Sequence, residues 1–201
     1  MMKLSFTAFL SEADAARHVV LSFGRMNPPT NGHEKLVNVV HKTASKYKAD
    51  QYIILTRSHD PKKNPLTPEQ KERHARRAFP DSNISVASET EPTLMHHLKK
   101  LHAQGYTHLH MIAGSDRTAD FENMIKKYNG HPDHWNFKSI KVHSSGKRDP
   151  DSEGIEGMSA SKMRGHAASG DFESFKQGVP SKMKTNHVRE MYNDIRKNMI
   201  Q

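Results

Sequence analysis

The chain has 201 residues, a formal net charge of +9 at pH 7 with 15 histidines besides, no cysteine and 34% hydrophobic residues, with a mean hydropathy of -0.85. That length suits one domain with a small appendage. The lack of cysteine excludes disulfides and thiolate metal sites and fits a reducing, cytoplasmic location, and no apolar run is long enough to span a bilayer.

The N-terminus does not read as a secretory signal, because Thr7, Ser11 and Glu12 interrupt its apolar residues. The first clean apolar run, residues 19–23, predicts a buried strand over 18–24. A Gly/Pro-rich turn and a helix over 32–47 follow. A strand, a turn of small residues and a helix N-terminus, in that order, form an arrangement that binds phosphate. Gly24, Gly32 and the Pro28-Pro29 pair shape a backbone that a ligand can approach closely. Thr30 can cap the helix, Arg25 can pair with phosphate, and His33 in the first turn can donate to an oxyanion. Read alone, His33 also fits an ordinary helix-end histidine.

Further strands are predicted over 51–56, 84–87, 108–113 and 137–142, and helices over 68–79, 93–104 and 118–128. Thr67 as cap, Pro68 at the first helical position and Gln70 completing a capping box mark one helix start. The alternation predicts an α/β fold: a Rossmann-like parallel sheet with helices on both faces. In such sheets ligands bind beyond the carboxyl ends of the strands, where the first turn lies. Residues 144–157 read as a loop, followed by a helix from 159 to about 168, a short segment over 171–176 and a C-terminal helical extension over 186–198. The domain boundaries read as an N-terminal peptide 1–17, a main domain 18–180 and a C-terminal helix 181–201.

The second chemical element is Gly157-Met158-Ser159-Ala160-Ser161-Lys162-Met163-Arg164. Ser159 or Ser161 can cap a helix and leave backbone amides aimed at an anion, with Arg164 one turn on. Alone this fits a capped surface helix. Together, the Thr30-Asn31-Gly32-His33 turn and the late Ser-x-Ser-x-x-Arg helix start resemble the nucleotidyltransferase superfamily, the α/β adenylyl- and cytidylyltransferases related to class I aminoacyl-tRNA synthetases. Arg57-Ser58-His59 followed by Asn64-Pro65-Leu66-Thr67 resembles the stretch after the second strand in nicotinamide-mononucleotide adenylyltransferases, and Gly24-Arg25 resembles the opening of the turn in the archaeal and phage type of that enzyme. Several subgroups carry His where this chain has Thr30.

The resemblance implies in-line attack on the α-phosphate of a nucleoside triphosphate, most simply ATP, by a phosphorylated acceptor such as nicotinamide mononucleotide, with release of pyrophosphate. It implies catalytic roles for His33, Arg164 and Thr30, and nucleotide binding by Gly24, Arg25, Met26, Gly32, Gly114, Asp116, Ser159 and Ser161. Mg²⁺ is expected with ATP, with no protein ligand named for it. Cytidylyl transfer and FAD synthesis belong to the same class. A phage-head, DNA-associated protein of this fold without activity is the reading from another class, supported by the +9 charge and by residues 2–13. That segment resembles the capsid-targeting peptides of internal head proteins of large tailed phages and implies cleavage after Glu12. The expected partners are ATP and a small phosphorylated metabolite, with DNA nearby in a virion; no membrane is expected, and homo-oligomerisation stays open. The pairs His96-His97, His108 with His110 and His131 with His134 read as surface or core histidines rather than a zinc site, and Trp135 and Phe137 as core.

Overall fold

The computed structural model describes residues 16–146 and 158–199. The segment resembling a capsid-targeting peptide, most of the loop over 144–157 and Gly157 lie outside them. Five strands, β1 (His18–Gly24), β2 (Asp50–Leu55), β3 (Ile84–Val86), β4 (His108–Ala113) and β5 (Ser139–Ser144), form one sheet in the order β3-β2-β1-β4-β5. Every pairing is parallel. The order reverses beside β1, so the crevice of the sheet opens between the ends of β1 and β4.

Seven helices among the described residues cover the sheet: α1 (Asn31–Tyr47), α2 (Pro68–Ala78), α3 (Leu94–Ala103), α4 (Thr118–Tyr128), α5 (Ala160–Ser169), α6 (Phe172–Gln177) and α7 (Thr185–Met199). Strand alternation divides the core in two. Val20, Ile53, Leu55, Ile84 and Ile112 pack against α1, α2 and α5–α7. Val19, Leu21, Ile54, Leu109 and Met111 pack against α3, α4, Trp135 and Phe137. This is the Rossmann-like α/β architecture expected from the sequence.

Element ends depart from expectation where side chains compete for the backbone. Strand β5 starts two residues later than predicted. Asn129 accounts for the shift: its Oδ1 accepts the Phe137 N–H at 2.9 Å and its Nδ2 donates to the Phe137 carbonyl at 3.2 Å. Residue 137 is thereby kept out of the sheet ladder, and Trp135 Nε1 donates to Ile125 O at 3.1 Å beside it. The Thr67 capping box is present as predicted, with Gln70 N donating to Thr67 Oγ1 at 3.3 Å and Thr67 N to Gln70 Oε1 at 3.0 Å.

Helix α7 is tied to α2. Asp194 accepts from Arg73 at 2.7 Å and from the fully buried His74 at 2.8 Å, and Glu190 accepts from Arg77 at 2.6 Å. Among the described residues no helix is long and apolar enough to cross a membrane.

Candidate active site

A cleft of about 460 Å³ opens at the carboxyl ends of β1 and β4, within the size range of small-molecule sites. All of the site residues anticipated from the sequence line it: Gly24, Arg25, Met26, Thr30, Gly32, His33, Gly114, Asp116, Ser159, Ser161 and Arg164. The fold therefore brings the first turn and the late helix start, some 130 residues apart in sequence by a rough count, to one cavity.

The start of α1 is built by a reciprocal cap. Thr30 sits in extended conformation (φ -133°, ψ 167°) and its Oγ1 accepts the His33 N–H at 3.4 Å. In return Thr30 N donates to His33 Nδ1 at 3.0 Å, and the Thr30 hydroxyl lies 3.0 Å from the same nitrogen. A capping box normally places Glu or Gln at this position; here the imidazole takes that role. A backbone N–H can only donate, so Nδ1 is an acceptor and the proton of the neutral ring sits on Nε2. The cap thus fixes the tautomer that can donate to a ligand oxygen in the cleft. Asn31 N donates to Gly178 O at 2.9 Å, and Glu34 N to Thr30 O at 3.1 Å. Gly32 N–H has no acceptor among the described residues and stands at the positive end of the helix.

The turn before α1 is locked by Asn27, which is 2% exposed. Its Nδ2 donates to Leu66 O and its Oδ1 accepts from Leu66 N, both at 3.1 Å. Met26 adopts a positive φ of 42°, an uncommon conformation for a residue with a side chain, and buries that side chain in the core. Asn27 O accepts from Arg164 Nη1 at 2.8 Å, while Arg164 Nη2 donates to Ser161 Oγ at 3.0 Å. The guanidinium plane is therefore fixed by both motifs at once. Helix α5 is capped by Ser159, whose Oγ accepts from Lys162 N at 3.2 Å.

Across the cleft, Arg117 N donates to Gly114 O at 2.9 Å. A Cβ on Gly114 would lie 2.7 Å from Asp116 Oδ1, so glycine is what lets the carboxylate take this place. Asp116 is the only carboxylate on the described lining, which also carries Arg25, Lys35, Lys63, Arg117 and Arg164. Such a surplus of cations attracts anions.

Sequence reasoning missed Lys35, Lys63 and Phe121. Lys63 is carried by a tight turn in which Asp60 Oδ1 accepts the N–H groups of Lys62 at 3.0 Å and Lys63 at 2.6 Å. The Lys63 N–H first, then the Asn64 side-chain amide and the Lys62 N–H, hold the Asp60 carboxyl below its ordinary value. The Asp-Pro-Lys-Lys-Asn string was the signal available for that turn.

Lys71 was missed as well. It is fully buried, and its Nζ donates to Thr56 O at 2.6 Å and Ser58 O at 3.0 Å. It occupies the inward stripe of α2 with His74, Ala75 and Ala78, a spacing legible in the sequence. Burial, and then the Arg25 and Arg57 charges, push its ammonium down to about 8. In the unfolded chain it titrates near 10.5, so between those values the unfolded chain holds a proton that the fold lacks, and stability rises with pH. Relative to Lys71→Met, the wild type is expected to gain on the order of 3 kcal/mol from pH ~8 to ~10.5. Urea midpoints across that range check this; a constant difference between the two proteins would refute it.

The chain belongs to the cytidylyltransferase-like family, whose model matches residues 21–165. It is a nucleotidyltransferase by fold and family. Two solved structures of Plasmodium falciparum nicotinic acid mononucleotide adenylyltransferase are similar to it, one complexed with NaAD and one with APC. They are 17% and 16% identical, each with a TM-score of 0.56 and covering 88% of this chain and 98% of that chain. At that identity the likeness speaks for the fold. A search of curated proteins finds no match.

Proposed function

We propose that the protein transfers an adenylyl group from ATP to a pyridine mononucleotide, nicotinamide mononucleotide or its nicotinic acid counterpart, releasing pyrophosphate. The observation carrying this reading is that His33 and Arg164 line one cationic cleft, with Arg164 tied to the turn before α1 through the Asn27 carbonyl. The acceptor's phosphate is ionised at neutral pH, so its oxygen attacks the α-phosphorus without a general base. Pyrophosphate departs in line with the electron pair of the broken P–O bond. Catalysis is then positioning and charge stabilisation. Nε2–H of His33 donates to the reacting phosphate. The Gly32 amide and Arg164 hold the triphosphate, with the hydroxyls of Ser159 and Ser161 beside them, and Arg25 and Lys63 add positive field. Mg²⁺ supplies charge neutralisation on the phosphates it accompanies. Asp116 is the oxygen ligand the cleft could add to its shell.

The test incubates the protein with Mg²⁺, each nucleoside triphosphate in turn and a panel of phosphorylated acceptors, and measures pyrophosphate. Release is expected only with ATP and a pyridine mononucleotide. Release with CTP, or with flavin mononucleotide as acceptor, moves the chain to a cytidylyl- or flavin-adenylyltransferase role. No release with any pair refutes the enzyme reading.

A further inference from the structure

Three histidines, far apart in sequence, form a hydrogen-bonded ladder across the sheet. His18 Nδ1 lies 3.0 Å from His110 Nε2, and His110 Nδ1 lies 3.0 Å from His143 Nε2. The register explains it. His18 pairs with His108 and His110 with Lys141, so each step crosses one strand and moves two residues along, keeping every ring on one face. A spacing of two on a strand is enough to put His108 and His110 on one face. That β1 and β5 supply the neighbours follows only from the register of the sheet.

Each neutral imidazole has one donor and one acceptor. The ladder is therefore satisfied with all donors pointing one way or all the other. A single added proton is also tolerated, because an imidazolium at His110 donates to both neighbours. A second proton is not: at least one link would then set N–H against N–H. The other groups at the ladder oppose even the first proton. From α1 comes Lys46, while the Tyr47 ring only packs the ladder, stacking on His110 at 4.0 Å and on His18 at 5.3 Å. From β4 comes His108, and from β5 Lys141. The charges reaching the three rings are all cationic. His110 is 2% exposed, and burial first, then His143, His18, Lys141 and His108, push its imidazolium down to about 4. His18 and His143 are lowered too, by burial first and then by neighbouring cations.

Strand β5 is an edge strand, and its histidine stands two residues before the cleft. Ser145 and Gly146 line the cleft, and Ser145 N donates to Ala113 O at 2.8 Å. We propose that the His18–His110–His143 ladder is an acid-sensitive latch that holds the end of β5, and with it the Ser145–Gly146 wall of the cleft, in place.

The rings have lower proton affinity in the fold than in the unfolded chain. The latch is therefore fully closed above pH ~6.5 and is lost as pH falls toward ~4. Hydrogen-exchange protection factors of the β5 amides, corrected for intrinsic rates, are expected to fall about tenfold or more between pH ~7 and ~4.5. His110→Leu, which cannot take the proton, is expected to flatten that dependence. Should it not fold, His143→Gln at the half-buried end is expected to reduce the fall to less than about threefold. Protection that stays constant with pH in the wild type, or falls equally in the variant that folds, overturns the proposal. A second readout rests on the transferase reading: the KM for the triphosphate should rise over the same acid range in the wild type more than in the variant. The exchange experiment is independent of catalysis, so an inactive protein with acid-labile β5 refutes the function and leaves the latch standing.

Discussion

Replacing His33 with alanine is expected to leave the protein folded and to lower turnover by at least about two orders of magnitude, the usual cost of losing one charge-stabilising donor. Both halves of that expectation follow from the cap. Alanine keeps the backbone N–H that Thr30 Oγ1 accepts at 3.4 Å, so the conventional N-cap bond survives. What goes is the acceptor for Thr30 N, at 3.0 Å from Nδ1, with a stability loss of about 1 kcal/mol. The ring's other nitrogen holds the proton because Nδ1 is committed to a donor, so the same substitution removes the N–H that the proposed mechanism sets on the reacting phosphate. His33→Gln separates the two roles. A glutamine here completes an ordinary capping box and is expected to restore the melting temperature while turnover stays low. Pyrophosphate release and thermal melts of the two variants provide the check. Near-normal turnover in His33→Ala would sink the assignment.

That double use of His33 marks where sequence reading ran out. The strand, turn and helix were legible because Gly, Pro and Thr have local conformational meaning, and the Thr67–Gln70 cap because both partners lie within one turn. Thr30 and His33 have the same spacing, yet histidine is not the residue a capping box leads one to expect, so the tautomer went unread. The fold class followed from alternation alone, and strand parity accounts for the two-sided core. The contacts that complete the cleft are of another kind. Asn27 meets Leu66 across 39 residues and Arg164 meets Asn27 across 137. The histidine ladder spans 92 residues at its first step. Such pairs depend on strand order and register, which periodicity does not encode. Lys71 was hidden for a different reason. A lysine on a helix with many charges reads as solvated, and only its place on the inward stripe marks it as buried.

Arg164→Lys is expected to lower kcat/KM for the triphosphate by about a hundredfold while the protein stays folded. The expectation rests on shape more than on charge, which lysine keeps. The guanidinium spans two acceptors belonging to different parts of the chain, Asn27 O at 2.8 Å and Ser161 Oγ at 3.0 Å. Its plane is set before any ligand arrives, with N–H donors in a fixed fork that matches two phosphate oxygens. An ammonium cannot bond Asn27 O, bond Ser161 Oγ and present that fork together. If it reaches the phosphates, it leaves the Asn27 carbonyl without its charged donor, costing about 1–3 kcal/mol where that group is buried. If it satisfies the carbonyl, it withdraws from the place the proposed mechanism gives to the leaving pyrophosphate. Ser161→Ala tests the orientation separately. It removes one anchor of the plane and keeps the guanidinium, so a milder loss of roughly threefold to tenfold is expected. Product inhibition supplies the second measurement, because a group that holds the leaving phosphates should weaken pyrophosphate inhibition in Arg164→Lys by a factor similar to its effect on kcat/KM. Wild-type kcat/KM in Arg164→Lys would show that any cation suffices at this position. Unchanged pyrophosphate inhibition beside a large loss in kcat/KM would place Arg164 in the packing of α5 against the turn and not on the leaving group.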